Sequence, residues 1–351
     1  MTRTAITLLC LIILTGLGDN VVAADNTDGK IVIAHRGASG YLPEHTLPAK
    51  VLAHAQGAHY IEQDVVMTQD DELVVFHDLT LDRVTDVSEK FPGRERDDGR
   101  HYVIDFTLAE LRLLSVSESP QAAIRFPAGQ SRFGIHTLAE EIELIQGLNK
   151  TLGREAGIYV EAKSPWFHHQ EGKDLAAAII SVLAQYGYDS SEDPVYLQTF
   201  DFEELKRIHQ QLLPAAGMTV KLVQLIAWND WQETLVLQDG QWQPYDYNWM
   251  LESGGMAEIA RYADGVGPAM DMIVQADSTQ EALQFTSLVR AAHAAGMQVH
   301  PFTFRRDPDQ LPDYAQDFQH LLDIFYRQAD VDGVFTDFPD IAVSFLGKPS
   351  D

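Results

Sequence analysis

Beyond Lys30 the chain alternates short apolar runs with amphipathic stretches, and this alternation sets the fold class. The runs fall at 31–34, 60–66, 73–76, 157–161, 195–199, 220–225, 265–266 with its flanks, 297–301 and 333–336. Several are apolar throughout, as strands buried on both faces are. Between them, 46–56, 137–148, 172–186, 202–213, 280–295 and 319–328 carry apolar residues at three- and four-residue spacing, which predicts helices with one buried face. Asp201 ahead of Phe202, and Thr137 followed by Glu140, predict side-chain caps. Strand and helix in alternation predict a parallel α/β fold, and about eight such units fit a (β/α)8 TIM barrel, with a doubly wound open sheet as second choice. Asp70-Asp71, between two apolar runs, reads as a tight turn inside one unit.

Two stretches break the rhythm. Residues 80–135 are rich in charge, Pro and Gly, and 227–255 carry Trp228, Trp231, Trp242 and Trp249 around an Asp-Gly turn. Both read as insertions on barrel loops, so that 25–351 forms one catalytic domain. The tryptophans predict a satellite core under a long loop, with a lip contacting the substrate's alcohol group or a lipid as the alternative. Residues 1–24 differ in kind. Arg3, the apolar stretch 5–17 and Val22-Ala23-Ala24 read as a signal peptide cleaved near Ala23 or Ala24, too short for a comfortable membrane span. Cys10, the one cysteine, falls inside it. The mature chain would then have no thiol, which excludes disulfides, zinc–thiolate sites and cysteine nucleophiles.

The formal charge of −27 argues against nucleic acid as a partner and against docking on an anionic membrane. The acidic residues are not all surface charge, however. Glu62 and Asp64 are two apart on a predicted strand, hence on one face, between core-like Ile61, Val65 and Val66. Two desolvated carboxylates repel each other, and a hard divalent cation such as Ca²⁺ or Mg²⁺ relieves both costs. Glu161 ends another apolar run, with Lys163 two residues on; a surface salt bridge is the bland alternative. His35 and His77 each follow an apolar run, where barrel active sites are built, and can serve as proton acceptor and donor. Arg36 and Lys163 can hold a phosphate. Gly37, Ser39 and Gly40 allow close backbone approach, with amide donors an option, and His45 reads as structural. The consecutive His168-His169 point different ways and make a poor metal pair.

The segments HRGASGYLPEHTLPA, IEQDVVMTQDDELVVFHD, YVEAKSPWFHHQEGKD and VFTDFPD, in that order, resemble the bacterial periplasmic glycerophosphodiester phosphodiesterases over about 30–346. The resemblance implies a (β/α)8 barrel with an inserted segment and hydrolysis of glycerophosphodiesters to sn-glycerol 3-phosphate and an alcohol. It implies His35 and His77 as acid/base pair, Glu62, Asp64 and Glu161 as metal ligands, and Arg36 and Lys163 on the phosphate. Gln198 and Asp337 match lesser motif positions, Gln198 as a substrate contact. It further implies Ca²⁺, with Mg²⁺ in some relatives, and a periplasmic location. A lysophospholipase D and a non-catalytic binding protein on the same scaffold are the alternatives. The oligomeric state stays open, a homodimer included.

Overall fold

β-branched and aromatic residues fill the runs that become strands, and eight of these strands form a parallel barrel. A computed structural model describes residues 29–118, 126 and 132–347, so the expected signal peptide (1–24) lies outside the described residues. In chain order the strands are β1 (Ile31–Ala34), β2 (Tyr60–Met67), β3 (Leu73–Val75), β4 (Gly157–Ala162), β5 (Val195–Thr199), β6 (Lys221–Ile226), β7 (Leu235–Gln238), β8 (Gln241–Pro244), β9 (Gly265–Pro268), β10 (Gln298–Val299) and β11 (Gly333–Thr336). The parallel order is β10-β9-β6-β5-β4-β2-β1-β11. The ends of this order meet through Asp332 N to Val299 O, Phe335 N to Pro301 O and Phe304 N to Phe335 O, at 2.8–3.0 Å. The fold is therefore the (β/α)8 barrel rather than a doubly wound open sheet, with β7 and β8 pairing separately as a two-stranded hairpin.

The apolar run at 73–76 is not a barrel strand. β3 folds back antiparallel on β2, pairing Val75 with Val65 and Leu73 with Met67, through a turn at Asp71 (φ 65°). Its sequence mimics a barrel strand because both its faces are covered. Val75 joins the main core, while Val74 joins a second cluster with Val84, Val103, Phe106 and Leu111 of the insertion. The helix beginning at Leu138 has the predicted capping box of Thr137 and Glu140, and Asp201 caps the helix at Phe202. The helix expected over 280–295 is confined to Leu288–Ala294. Ahead of it the backbone folds on itself instead: Gln275 N donates to Gln284 O, and the Thr286 hydroxyl donates to Met272 O at 2.7 Å.

An aromatic plug fills the barrel interior. Tyr159 stacks on Tyr196 (4.7 Å between centroids, 18°) and meets Phe335 edge-on at 5.0 Å, with Ile33 and Val223 completing the layer. Above this floor, toward the C-terminal end of the barrel where the architecture places active sites, the inward-facing positions become polar.

Candidate active site

Strand periodicity puts Tyr60, Glu62 and Asp64 of β2 on the inner face, with Tyr159 and Glu161 of β4 beside them; parallel register sets Asp64 opposite Glu161 and Glu161 opposite Gln198. The residues just below are the plug, so Glu62, Asp64 and Glu161 form the first layer above it. All three are 4 % exposed or less, and each offers an oxygen within 4.8 Å of the others'. Burial and the neighbouring Asp64 charge push Glu62 upward, and burial drives Glu161 well above the usual carboxylate range. Asp64 moves the other way: against its burial, Lys163 and His45 hold it well below that range. Asp64 Oδ1 is buried without a hydrogen-bond partner. Three converging carboxylates, with Asp64 Oδ1 left unsatisfied, are the donor set a hard divalent cation takes.

Two histidines flank this triad, each held by an aspartate. His35 Nδ1 lies 2.7 Å from Asp337 Oδ1, and Asp337 Oδ2 pairs with Arg305 at 3.1 Å. His77 Nδ1 bonds Asp78, which Arg83 also contacts. A carboxylate on Nδ1 fixes the proton there and leaves Nε2 as the exchanging nitrogen. His77 reaches the site because the hairpin reverses: Phe76 N donates to Asp64 O at 2.9 Å, setting the next residue at the height of the triad. Burial, Arg36 and Lys163 lower its affinity for a proton. Lys163 Nζ stands 2.9 Å from Glu161 and 3.4 Å from His77 Nε2. Gln198 Nε2 is 3.4 Å from Glu62 Oε1 and lines the same cavity, of about 650 Å³.

Arg36 takes a left-handed backbone (φ 56°), so that its amide donates to Glu62 Oε2 at 2.6 Å while its guanidinium bonds Glu44 at 3.0 Å. The glycines around it are not phosphate cradles. Gly37 N donates to Ala34 O and Gly40 N to Asp337 O, so both amides belong to the fold. Gly37 sits at φ +86° against Ala49, and a Cβ on Gly40 would stand 2.7 Å from Asp337 O and inside the Phe338 ring. Gly40→Ala is accordingly expected to cost about 1–3 kcal/mol of stability and to lower turnover by moving Asp337 off His35; urea unfolding and kcat read the two effects.

Several neighbours of the candidate site carry little or no signal in the sequence. His45, read there only as structural, is 3 % exposed and its Nε2 stands 2.7 Å from Asp64 Oδ2. Its Nδ1 faces Lys50 Nζ at 3.3 Å. An ammonium can only donate, so Nδ1 accepts and Nε2 carries the proton toward Asp64. Burial and Lys50 hold His45 neutral, with a pKa of about 3. Lys50 also donates to the Glu62 carbonyl and pairs with Glu141 at 3.0 Å, which in turn bonds His136 and Gln63. Arg83, from the insertion, ties Glu44 to Asp78. Hydrogen-bond partners more than a few residues apart carry no local sequence signal; only Asp337, from the VFTDFPD segment, was within reach. The tryptophans divide: Trp228 and Trp249 pack on the core, whereas Trp231 and Trp242 are each 44 % exposed and Trp231 lines the cavity. His168 is buried and accepts from Met67 N, while His169 joins Asp174 and Glu204 outside the cavity. Arg207 donates to both of those carboxylates, so they are already engaged in an ion pair.

Comparison with known proteins gives concordant results. Residues 35–341 match the glycerophosphoryl diester phosphodiesterase family. A glycerophosphodiester phosphodiesterase of Haemophilus influenzae is 50 % identical, covering 97 % of both chains. One from Treponema pallidum is 47 % identical over 92 % of this chain and 93 % of its own. Among solved structures, an Oleispira antarctica phosphodiesterase in complex with the product sn-glycerol-3-phosphate shares the fold. Its TM-score is 0.59 at 23 % identity, covering 91 % of this chain and 97 % of its own.

Proposed function

The chain belongs to the glycerophosphoryl diester phosphodiesterase family, and from that premise we propose that it hydrolyses glycerophosphodiesters to sn-glycerol 3-phosphate and an alcohol, with a divalent cation at Glu62, Asp64 and Glu161 and with His35 and His77 as proton carriers. One observation carries the reading: a buried carboxylate triad with an unsatisfied Asp64 Oδ1 lies between two aspartate-held histidines. The all-oxygen set favours Ca²⁺, with Mg²⁺ as the alternative. When bound, the cation would neutralise charge on the phosphoryl group and acidify a coordinated hydroxyl.

The protein's own groups do the rest. Arg36 and Lys163, both kept charged by surrounding carboxylates, bind the phosphate oxygens and take up charge that grows on them in the transition state. Gln198 orients the substrate beside Glu62. One histidine removes a proton from the attacking oxygen at Nε2 and the other returns one to the departing alcohol, while Asp337 and Asp78 keep each ring in register. The signal-peptide pattern expected over 1–24 is the ground for reading the enzyme as exported and periplasmic, with 25–351 as its catalytic domain; no helix among the described residues is long and apolar enough to cross a membrane.

Chelation is expected to abolish release of glycerol 3-phosphate from glycerophosphocholine, and added Ca²⁺ to restore it. Full activity in excess chelator would remove the cation from the reading. Running lysophosphatidylcholine alongside separates this function from a lysophospholipase D.

A further inference from the structure

The cavity has two chemically different sides. One holds the triad, both histidines, Arg36 and Lys163; the other is made by Phe200, Leu225, Trp231, Glu233 and Phe302, none of which enters the proton or metal chemistry. Its rings are steeply inclined to one another, Phe200 and Phe302 at 5.9 Å and 86°, Trp231 and Phe302 at 6.4 Å and 56°. The two sides meet at Lys163, whose Nζ is 5.6 Å from the Phe200 centroid.

Trp231 and Glu233 come from the excursion after β6, and that loop is anchored. Trp228 Nε1 donates to Asp271, Asn229 Nδ2 to Asp246, and Trp166 Nε1 to the Glu233 carbonyl at 3.1 Å. A large aromatic left 44 % exposed on an anchored loop is presented rather than merely unburied. Among the described residues no side chain donates a hydrogen bond to the Glu233 carboxylate. Glu233 lines the same cavity as the three rings.

We propose that Trp231, Phe302, Phe200 and Glu233 form the subsite for the departing alcohol and that they select a cationic one, a quaternary or primary ammonium alcohol. The proposal rests on the hydrolysis set out above. Ring faces attract a cation through their quadrupole, and most strongly that of tryptophan. Glu233 adds a full negative charge on the same side, and the acidic chain as a whole draws a cationic end toward the cavity. A neutral polyol gains neither contact, and an anionic alcohol meets repulsion, so discrimination comes from both signs. A zwitterionic diester then spans the cavity, its phosphate on Arg36 and Lys163 and its ammonium on the aromatic side.

The test compares kcat/KM on glycerophosphocholine and on glycerophosphoglycerol, whose departing alcohol is neutral, in the same metal buffer. The wild type is expected to favour the choline diester by about tenfold or more. Glu233→Gln and Trp231→Leu should each reduce that ratio by about five- to tenfold, the scale of a single cation contact, and Glu233→Lys should invert it. Both positions are solvent-accessible, so folding is not at issue. A wild-type ratio within about twofold of unity, or variant ratios within about twofold of wild type, would overturn the subsite. If the wild type cleaves neither diester, it is the hydrolytic reading that fails, and the subsite falls with it.

Discussion

Replacing His35 or His77 with alanine is expected to lower kcat on glycerophosphocholine by about 10²–10⁴-fold, the range for loss of a positioned acid or base. The ground is geometric. Each ring is fixed through Nδ1 by its own aspartate and lines the cavity that holds the carboxylate triad. A role confined to packing would show up as lost stability, and both side chains are accessible enough (15 % and 27 %) for truncation to leave the fold standing. Calorimetric titration of the metal into each variant provides the control, since neither ring is placed among the ligands. Turnover within about tenfold of wild type for both variants would refute the proton-carrier assignment, whatever the binding data show. Asp337→Asn should fall between, because the asparagine retains a bond to His35 but not the charge that stabilises its protonated form.

Lys50→Met is expected to destabilise the protein by about 3–5 kcal/mol, the cost of leaving one partner of a buried ion pair uncompensated. Lys50 and Glu141 are both completely buried and 3.0 Å apart. Methionine fills a similar volume, so the loss isolates charge rather than packing. Urea unfolding measures it, and a change below about 1 kcal/mol would mean the pair behaves like a surface one. Lys50→Met combined with Glu141→Gln should recover part of the loss, since the stranded charge is then gone. The pair also predicts a pH dependence. Lys50 and His136 overcome burial to bring Glu141 from 4.5 down to about 2. A carboxylate with a depressed native pKa contributes stability above its unfolded value, here about 4.5, and that contribution is lost as pH falls toward about 2. The variant should therefore have a flatter acid limb than wild type. Because Lys50 also sets the tautomer of His45, and His45 holds Asp64 Oδ2, its loss should weaken metal binding as well.

The candidate site was legible in proportion to how local its signals are. Glu62 and Asp64 betray themselves by two-residue spacing inside an apolar run, and His35-Arg36 and Glu161-Ala-Lys163 by their place at strand ends. His77 was found for an incomplete reason. It follows an apolar run as expected, but β3 is a returning hairpin strand, and antiparallel pairing with β2 carries the histidine to the height of Asp64. Gly37 and Gly40 pointed to the right loop and the wrong use, since their amides are spent on the fold. The helix expected at 280–287 failed because Gln275 and Met272 compete for that backbone, and such competition is non-local.

By itself, the sequence determined the alternation of strands and helices, the caps at Thr137 and Asp201, the barrel class and the first ring of residues around the candidate site. These rest on periodicity and on interactions within a few residues of chain. Only the tertiary structure decided which groups complete them: Asp337 on His35 across 302 positions, His45 and Lys50 behind Asp64, Arg83 bridging from the insertion, and Trp231 with Glu233 on the far wall. A buried charge or an orienting carboxylate is specified by what closure of the barrel brings beside it, and that contact has no period along the chain.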